Sequence, residues 1–337
     1  MFSVVIPAFN ARATLARAVR SVLAQQGPGL ELIVVDDGST DSVTEALAGV
    51  ADPRLRIVRQ ANLGCSAARN TGIEAASHPW VALLDADDLW LPGHLEELDR
   101  IRTAFPEAGL IGTAEFGVAA GAASACVPQR PSNIREIRYL AAVARGEPTP
   151  NASSAAVFKG AWDAVGRSDP AAAGPDRELW ARLSLAWPVA VSDRITTLYL
   201  RAEGSDSDRQ RRQRHGRPVK SLAELSSSVA MLLRQYADAG KPLRKEIDAY
   251  VLRYFDYRLR EAIAFHDVVA LRSLRELYPG RQLEHRLLLA LSALPSPLAT
   301  RAARLGLMPR AALQRLRKWR AREPHEVVHL PLASDIV

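Results

Sequence analysis

Residues 81–90 read VALLDADDLW, an apolar run that breaks into three carboxylates, Asp85, Asp87 and Asp88, within four positions. An uninterrupted Val/Ala/Leu stretch of this length suits a strand buried on both faces. The aspartates then stand at its carboxyl end, where their like charges repel unless something neutralises them. Asp-x-Asp alone is weak: Asp206-Ser207-Asp208 repeats it in a charged stretch where solvation is explanation enough. The copy at 85–87 differs because it ends a buried strand. A divalent cation held by one or two carboxylates, with substrate phosphates completing its shell, resolves the repulsion and points to Mg2+ or Mn2+. A solvated loop with a helix cap is the plainer alternative.

Outward from that stretch, strand and helix signals alternate. Strands are predicted at 3–6, ending at Pro7, and at 30–35, 55–58 and 80–84. Between them fall a helix with Leu15, Val19, Val22 and Leu23 on one face, a helix at 43–49 capped by the Ser-Thr-Asp before it, and a short helix at 66–76. A further helix over 92–103 is opened by Pro92 at its first turn. Continuous apolar strands between helices indicate an α/β fold, a mostly parallel sheet covered on both faces. The small-residue run 117–133 reads as a loop. Strand signals return at 154–158, 189–192 and 196–200, and a helix runs over 176–187. The character changes near 206: residues 205–218 are charged without apolar periodicity, and helical patterns follow at 219–239, 242–265, 267–277, 282–293 and 310–322. The predicted organisation is an α/β domain over 1–205, a linker over 206–218 and a basic α-helical region over 219–337.

The 337 residues, 48% apolar and 24% charged, are those of a soluble globular chain with room for one large or two ordinary domains. Cys65 and Cys126 form neither a disulfide framework nor a metal-ligand spacing, which suits a reducing compartment. The first residues carry no basic leader, and no run reaches the ~20 apolar residues of a membrane span. A cytoplasmic chain is expected. Its charge is unevenly distributed: residues 1–205 hold 19 Lys/Arg against 23 Asp/Glu, and residues 206–337 hold 25 against 14. In 310–322, Leu313, Leu316 and Trp319 share a helical face among six Arg/Lys. Two readings fit that helix: peripheral attachment to an anionic membrane surface on its inner face, or a cap packed on the first domain. No nucleic-acid motif accompanies the charge, so no nucleic-acid partner is expected.

In an open α/β sheet, ligands bind outside the carboxyl ends of the strands. PAFN (7–10) follows the first strand, DDGSTD (36–41) the second and DADD (85–88) the fourth, so one crevice brings Phe9, Asp37 and the acidic cluster together.

With SVVIPAFNA, SVLAQ, ELIVVDDGSTD, NLGCSAARNTGIEAA and VALLDADDLWLPGHLE in this order, the chain resembles the large family of inverting nucleotide-sugar glycosyltransferases with the GT-A fold. The likeness is dense over 2–100 and thinner to about 205. It implies transfer of a sugar from a nucleotide-diphosphate donor, a UDP-sugar being favoured, to a hydroxyl of a saccharide, lipid-linked or protein-linked acceptor. Pro7, Phe9, Asn10, Asp37, Arg69, Asp85 and Ala86 match its nucleotide-sugar positions. By that resemblance Phe9 stacks on the base, Asp37 accepts from a base N–H, Arg69 reaches the base or phosphates, and Asp85 holds the ribose or a metal-bound water. Asp87, with Asp85, takes the metal, Mn2+ or Mg2+. Asp176, in GPDRELWARL (174–183), falls on the catalytic base; helix N-cap is its structural alternative. Two positions depart from the pattern: Pro175 stands where an acidic residue is usual, and Glu203 where histidine is frequent. Two other classes compete. A nucleotidyltransferase normally has a Gly-rich phosphate loop after the first strand, which PAFNARATL lacks. A nucleotide-sugar-binding protein without turnover remains compatible with the two departures.

Overall fold

Apolar except for Ser3, Phe2–Ala8 forms strand β1, and every one of its residues is buried. It lies between two parallel neighbours, β2 (Leu30–Asp36) and β4 (Trp80–Leu83), with β3 (Leu55–Arg59) outside β2. The crossovers carry α1 (Leu15–Leu23), α2 (Val43–Ala46) and α3 (Cys65–Ala75). Alternate residues of β1 serve opposite faces. Val4 and Ile6 share a core cluster with Leu15, Val19 and Val22 of α1, each fully buried aliphatic side chain contributing about 1.5–3 kcal/mol. Val5 faces α3, which approaches so closely that a Cβ added to Gly72 would lie 2.3 Å from Val5 Cγ1.

The β1–β4 ladder stops early. Its last pair is Val5↔Leu83, and Leu84 N–H donates to the Val5 carbonyl at 3.1 Å. The next rung of a parallel ladder needs an N–H from residue 7, and Pro7 has none. The pairing ends where strand order reverses around β1, the position at which open α/β sheets bind ligands.

After β4 come β5 (Leu89–Trp90), α4 (His94–Ala104), β6 (Leu110–Ala119), β7 (Ser124–Pro128), β8 (Ile134–Ile137) and α5 (Tyr139–Arg145). A 3-10 turn (Ala152–Ser154), β9 (Ala155–Phe158), α6 (Lys159–Val165), α7 (Pro175–Ala186) and β10 (Val189–Arg201) follow. The sheet order is β3-β2-β1-β4-β9-β6-β10-β5, with β8 also on β10. The parallel arrangement expected from the first hundred residues holds through β4. Then β9 enters antiparallel between β4 and β6, β10 runs parallel to β6, and β5 and β8 pair antiparallel with β10. The fold is therefore α/β with a mixed sheet.

Three local expectations are corrected. The run read as a loop over 117–133 contains the end of β6 and all of β7; alanine and glycine carry little strand signal, and ladder pairing decides the matter. Pro92 precedes α4 rather than opening it, because Gly93 is the N-cap and His94 the first helical residue. The two strands predicted at 189–192 and 196–200 are one strand with register shifts between Val191 and Thr197.

The computed structural model describes residues 1–119, 122, 124–172, 174–201, 220, 221, 224, 226–264, 267–277 and 325–329. The chain splits into two compact units, one drawn from Met1–Ala142, Pro148–Ala202 and Pro324–Val337, the other from Val143–Glu147 and Glu203–Glu323. The first unit takes in a strand β11 (His325–His329), antiparallel to β7. In the second, α8 (Ser227–Gln235), α9 (Lys241–Ala264) and α10 (Val268–Leu277) form helices. Ile247, Tyr250, Val251 and Phe255 fall on one face of α9 and are buried, and the Tyr250 hydroxyl bonds Ser228 Oγ at 2.9 Å. The linker at 206–218, Glu203 and the helical patterns at 282–293 and 310–322 lie outside the described residues. Among the described residues, no helix is long and apolar enough to cross a membrane.

Candidate active site

The register sets the carboxyl ends of β1 and β2 side by side, Ala8 opposite Asp36. The loops that follow are tied to each other. Asn10 adopts φ 50°, a left-handed conformation that asparagine tolerates. Its Oδ1 accepts from Thr40 N–H at 2.9 Å and Thr40 Oγ1–H at 3.0 Å, while its own N–H donates to Ser39 Oγ at 3.1 Å. Ser39 N–H in turn donates to Asp36 Oδ1 at 2.8 Å.

Asp37 is 2% exposed, and its N–H donates to the Ala8 carbonyl at 2.8 Å. Oδ1 accepts from Gln60 Nε2 at 2.7 Å and Leu63 N–H at 2.9 Å, and Oδ2 accepts from Gly64 N–H at 2.8 Å. Gln60 Oε1 accepts from Thr71 Oγ1 of α3 at 2.6 Å. Asp37 therefore organises the 60–64 segment that leads into α3. Phe9, next to Ala8, is 46% exposed, and Leu63 is 63% exposed. Leu63 is bonded by the Asp37 carboxylate and Phe9 follows the residue bonded by the Asp37 backbone N–H, so both open apolar side chains belong to segments tied to Asp37.

The second group of residues centres on α3. Arg69 is buried, and its Nη1 donates to Asp176 Oδ1 and its Nη2 to Asp85 Oδ1, both at 2.5 Å. Burial pulls the guanidinium down, but Asp176 and Asp85 outweigh it and hold Arg69 charged. Its Nε is buried without a hydrogen-bond partner. The next residue, Asn70, bonds the loop at Ser168 that leads to α7. Asp176 lies in the first turn of α7, whose N-cap is Gly174 at φ +74°, with Pro175 at the helix start. The cap alternative for Asp176 is thereby replaced. Burial pushes the Asp176 carboxyl up, Arg69 opposes this, and Asp85 adds to the rise.

In the acidic stretch, Asp88 is buried; its Oδ2 accepts from Ser153 Oγ–H at 2.5 Å and its Oδ1 from Leu200 N–H at 3.0 Å. Burial, together with repulsion from Asp85 and Asp87, pushes its carboxyl up to about 8. Ser153 Oγ also accepts from Asp85 N–H at 3.1 Å, and the Ser153 carbonyl accepts from Trp90 Nε1 at 2.7 Å. Pro7 and Ala86 are buried, whereas Asp85 and Asp87 are half-buried. Burial lowers the Arg17 guanidinium of α1, and attraction to Asp87 opposes it. Among the described residues, no group of three or more His, Cys, Asp or Glu side chains is arranged to hold a metal alone. A divalent ion held by Asp85 and Asp87 would need further oxygen donors to complete its shell.

The structure thus joins Arg69, Asp85 and Asp176 directly, and Asn10 and Asp37 through the loops after β1 and β2. Sequence reasoning missed Ser153, Gln60 and Asn70. A signal existed for the first: Asn151 and Ser154 form a capping box around the turn that presents Ser153. Gln60 and Asn70 act through partners distant in sequence, which no local pattern announces.

Residues 3–101 match the model of glycosyl transferase family 2. Succinoglycan biosynthesis protein ExoO of Rhizobium meliloti is 42% identical over 95 residues, covering 28% of this chain and 27% of that protein. The Escherichia coli protein UDP-Glc:alpha-D-GlcNAc-diphosphoundecaprenol beta-1,3-glucosyltransferase WfgD is 34% identical over 97 residues, 28% of this chain and 38% of that one. The matched stretch is thus well under half of either relative. Among solved structures, S. aureus TarS 1-349 in complex with UDP-GlcNAc has a TM-score of 0.61 at 15% identity, covering 94% of this chain and 92% of that one. Mannosyltransferase PcManGT from Pyrobaculum calidifontis, in complex with GDP-Man and Mn2+, has a TM-score of 0.56 at 18% identity, covering 95% and 88%. Likeness at that identity concerns the fold.

Proposed function

We propose that this chain, a GT-A nucleotide-sugar glycosyltransferase whose family 2 domain spans residues 3–101, moves a sugar from a UDP-sugar to a hydroxyl acceptor with inversion at the anomeric carbon. The observation that carries the reading is the gathering of Phe9, Asp37, Arg69, Asp85, Asp87 and Asp176 at the carboxyl edge of one sheet. UDP is favoured because Asp37 is an acceptor-only carboxylate whose own N–H is bonded to Ala8, the residue before the exposed Phe9, a combination suited to a base that presents an N–H. UDP-GlcNAc bound to TarS and the UDP-Glc in the name of WfgD point the same way.

In this reading Phe9 stacks on the base, Asn10 and Pro7 shape the loop beneath it, and Asp37 accepts the base N–H. Arg69 meets the diphosphate, while Asp85 and Ala86 line the ribose. Asp85 and Asp87 fit a divalent ion, Mn2+ or Mg2+, because two half-buried carboxylates crowd there with too little positive charge nearby. When bound, such an ion would supply positive charge to offset that of a departing diphosphate. Asp176 takes the proton of the acceptor hydroxyl as its oxygen attacks the anomeric carbon from the face opposite the nucleotide. Burial raises its proton affinity, which suits a general base. The acceptor is a saccharide, free or linked to lipid or protein. A cytoplasmic site of action, with the basic C-terminal residues on an anionic membrane surface, suits a lipid-linked acceptor.

Calorimetry with UDP, with and without Mn2+, followed by turnover of a panel of sugar nucleotides, tests this. UDP binding is expected, with turnover lost in Asp176→Asn while the nucleotide still binds. Undiminished turnover in that variant removes Asp176 from the role of base.

A further inference from the structure

Asp176 and Asp85, read above as the acceptor-side and donor-side carboxylates, are bonded to one shared guanidinium, Arg177 being a further positive charge that acts on Asp176. Arg69 spans Asp176 and Asp85 with two bonds of 2.5 Å. Its side chain is 8% exposed, whereas those of Asp176 and Asp85 are 36% and 31% exposed. The cation is thus the buried member, and both carboxylates are partly exposed. Arg69 comes from the middle of α3, which Gly72 seats against Val5 and which Asn70 ties to the Ser168 loop. The helix that carries the guanidinium is therefore anchored, while the long side chain itself can turn between partners. A planar guanidinium offers five N–H groups in a fixed fork, and here the buried Nε–H has no acceptor.

Two carboxylates already exceed the one positive charge between them. An incoming diphosphate adds further negative oxygens beside the same group, so donor and Asp176 draw on one cation. We infer that Arg69 couples the two halves of the site: without donor it occupies the Asp176 oxygen, and a nucleoside diphosphate draws it off, leaving Asp176 open for the acceptor proton. This rests on the reading of the site given above. Arg69 acts on the base as a positioning residue. By reciprocity, removing the Asp176 charge while Arg69 is kept must strengthen diphosphate binding by the factor by which diphosphate weakens the Asp176–Arg69 pair.

The test is UDP affinity, measured by calorimetry with and without Mn2+, in variants whose folding is checked by thermal unfolding. Asp176→Asn, which removes the competing charge, is expected to bind UDP about tenfold more tightly than the wild type. Asp176→Glu, which keeps the charge, is expected to show no such gain. Arg69→Gln is expected to weaken UDP binding, and adding Asp176→Asn to it to restore nothing. If Asp176→Asn leaves UDP affinity unchanged or weaker, the coupling does not exist. If the double variant gains as much over Arg69→Gln as the single variant gains over wild type, plain repulsion replaces the shared cation and the inference is overturned. Should Arg69→Gln not fold, the comparison of Asp176→Asn with Asp176→Glu still decides. Failure of the wild type to bind UDP overturns the functional reading and this inference together; binding without the Asp176 effect overturns this inference alone.

Discussion

Asn70 and Ser168, 98 positions apart, exchange two hydrogen bonds: Asn70 Nδ2–H donates to the Ser168 carbonyl at 2.8 Å, and Ser168 N–H donates to Asn70 Oδ1 at 3.1 Å. Both partners are buried. The pair fixes the approach to α7, and with it Asp176, against the helix that carries Arg69. Replacing Asn70 with Ala strands the buried Ser168 N–H and carbonyl, at a cost of about 1–3 kcal/mol for each unsatisfied group. The expected outcome is a lower urea midpoint and a reduced kcat, with UDP affinity nearly retained. Steady-state kinetics beside calorimetry will separate these effects, and an unchanged kcat would show that the loop needs no such anchor.

Asp37 has a structural task that any binding role must share. Asp37→Ala leaves the N–H groups of Leu63 and Gly64 without their acceptor, each worth about 1–3 kcal/mol. Asp37→Asn keeps one acceptor oxygen but introduces a donor. It is therefore expected to recover part of the stability lost in Asp37→Ala, while UDP affinity stays low in both. Equal UDP affinity in Asp37→Asn and wild type would take the base contact away from Asp37.

His94 gives the fold a pH dependence of definite sign. Its ring is 0% exposed, stacks on Trp90 at 4.1 Å, meets Thr196 Oγ1 at 2.8 Å through Nδ1, and leaves Nε2 buried without a partner. Burial pulls its pKa down to about 3. The unfolded chain takes up this proton near pH ~6.5, so the unfolded state binds more protons between there and about 3. Stability from this group is complete above ~6.5 and falls by about 1.4 kcal/mol per pH unit below it. Unfolding free energies from urea titrations at pH 7 and pH 5 should differ by about 2 kcal/mol less in His94→Gln than in wild type. An identical pH slope in the two proteins would exclude His94 as its source.

Gly72→Ala tests the close seat of α3 on β1. Alanine is the better helix former by about 1 kcal/mol, yet its Cβ would lie 2.3 Å from Val5 Cγ1 and 2.9 Å from Val5 Cγ2. Overpacking of this kind costs about 1–3 kcal/mol. The expected result is net destabilisation, partly relieved by Val5→Ala in the same chain. A more stable Gly72→Ala would mean that the two elements part easily.

How much could be read beforehand differs along the chain for physical reasons. β1, β2 and β4 announce themselves because strands buried on both faces must be apolar throughout, and their aspartate-bearing ends follow directly. The end of β6 and the start of β7 stay hidden because Gly117–Ala125 offers mainly small side chains, and strand identity there comes from partners. The antiparallel insertion of β9 depends on contacts between residues distant in sequence, Ala82 with Ala156 and Ile111 with Ala156 for example. Asp176 is legible as a motif, but its bond to Arg69, 107 positions away, is not. Ser153 shows the same limit: a residue with no chemistry of its own in the sequence holds the backbone of Asp85 and the carboxyl of Asp88.

Pro7 leaves a lasting mark on the sheet. Since an imino nitrogen has no hydrogen to give, β1 and β4 cannot zip past Val5 and Leu83, whether or not a ligand is present. The parting of these two strands is thus permanent, and a ligand bound there would spend none of its affinity on prising them apart.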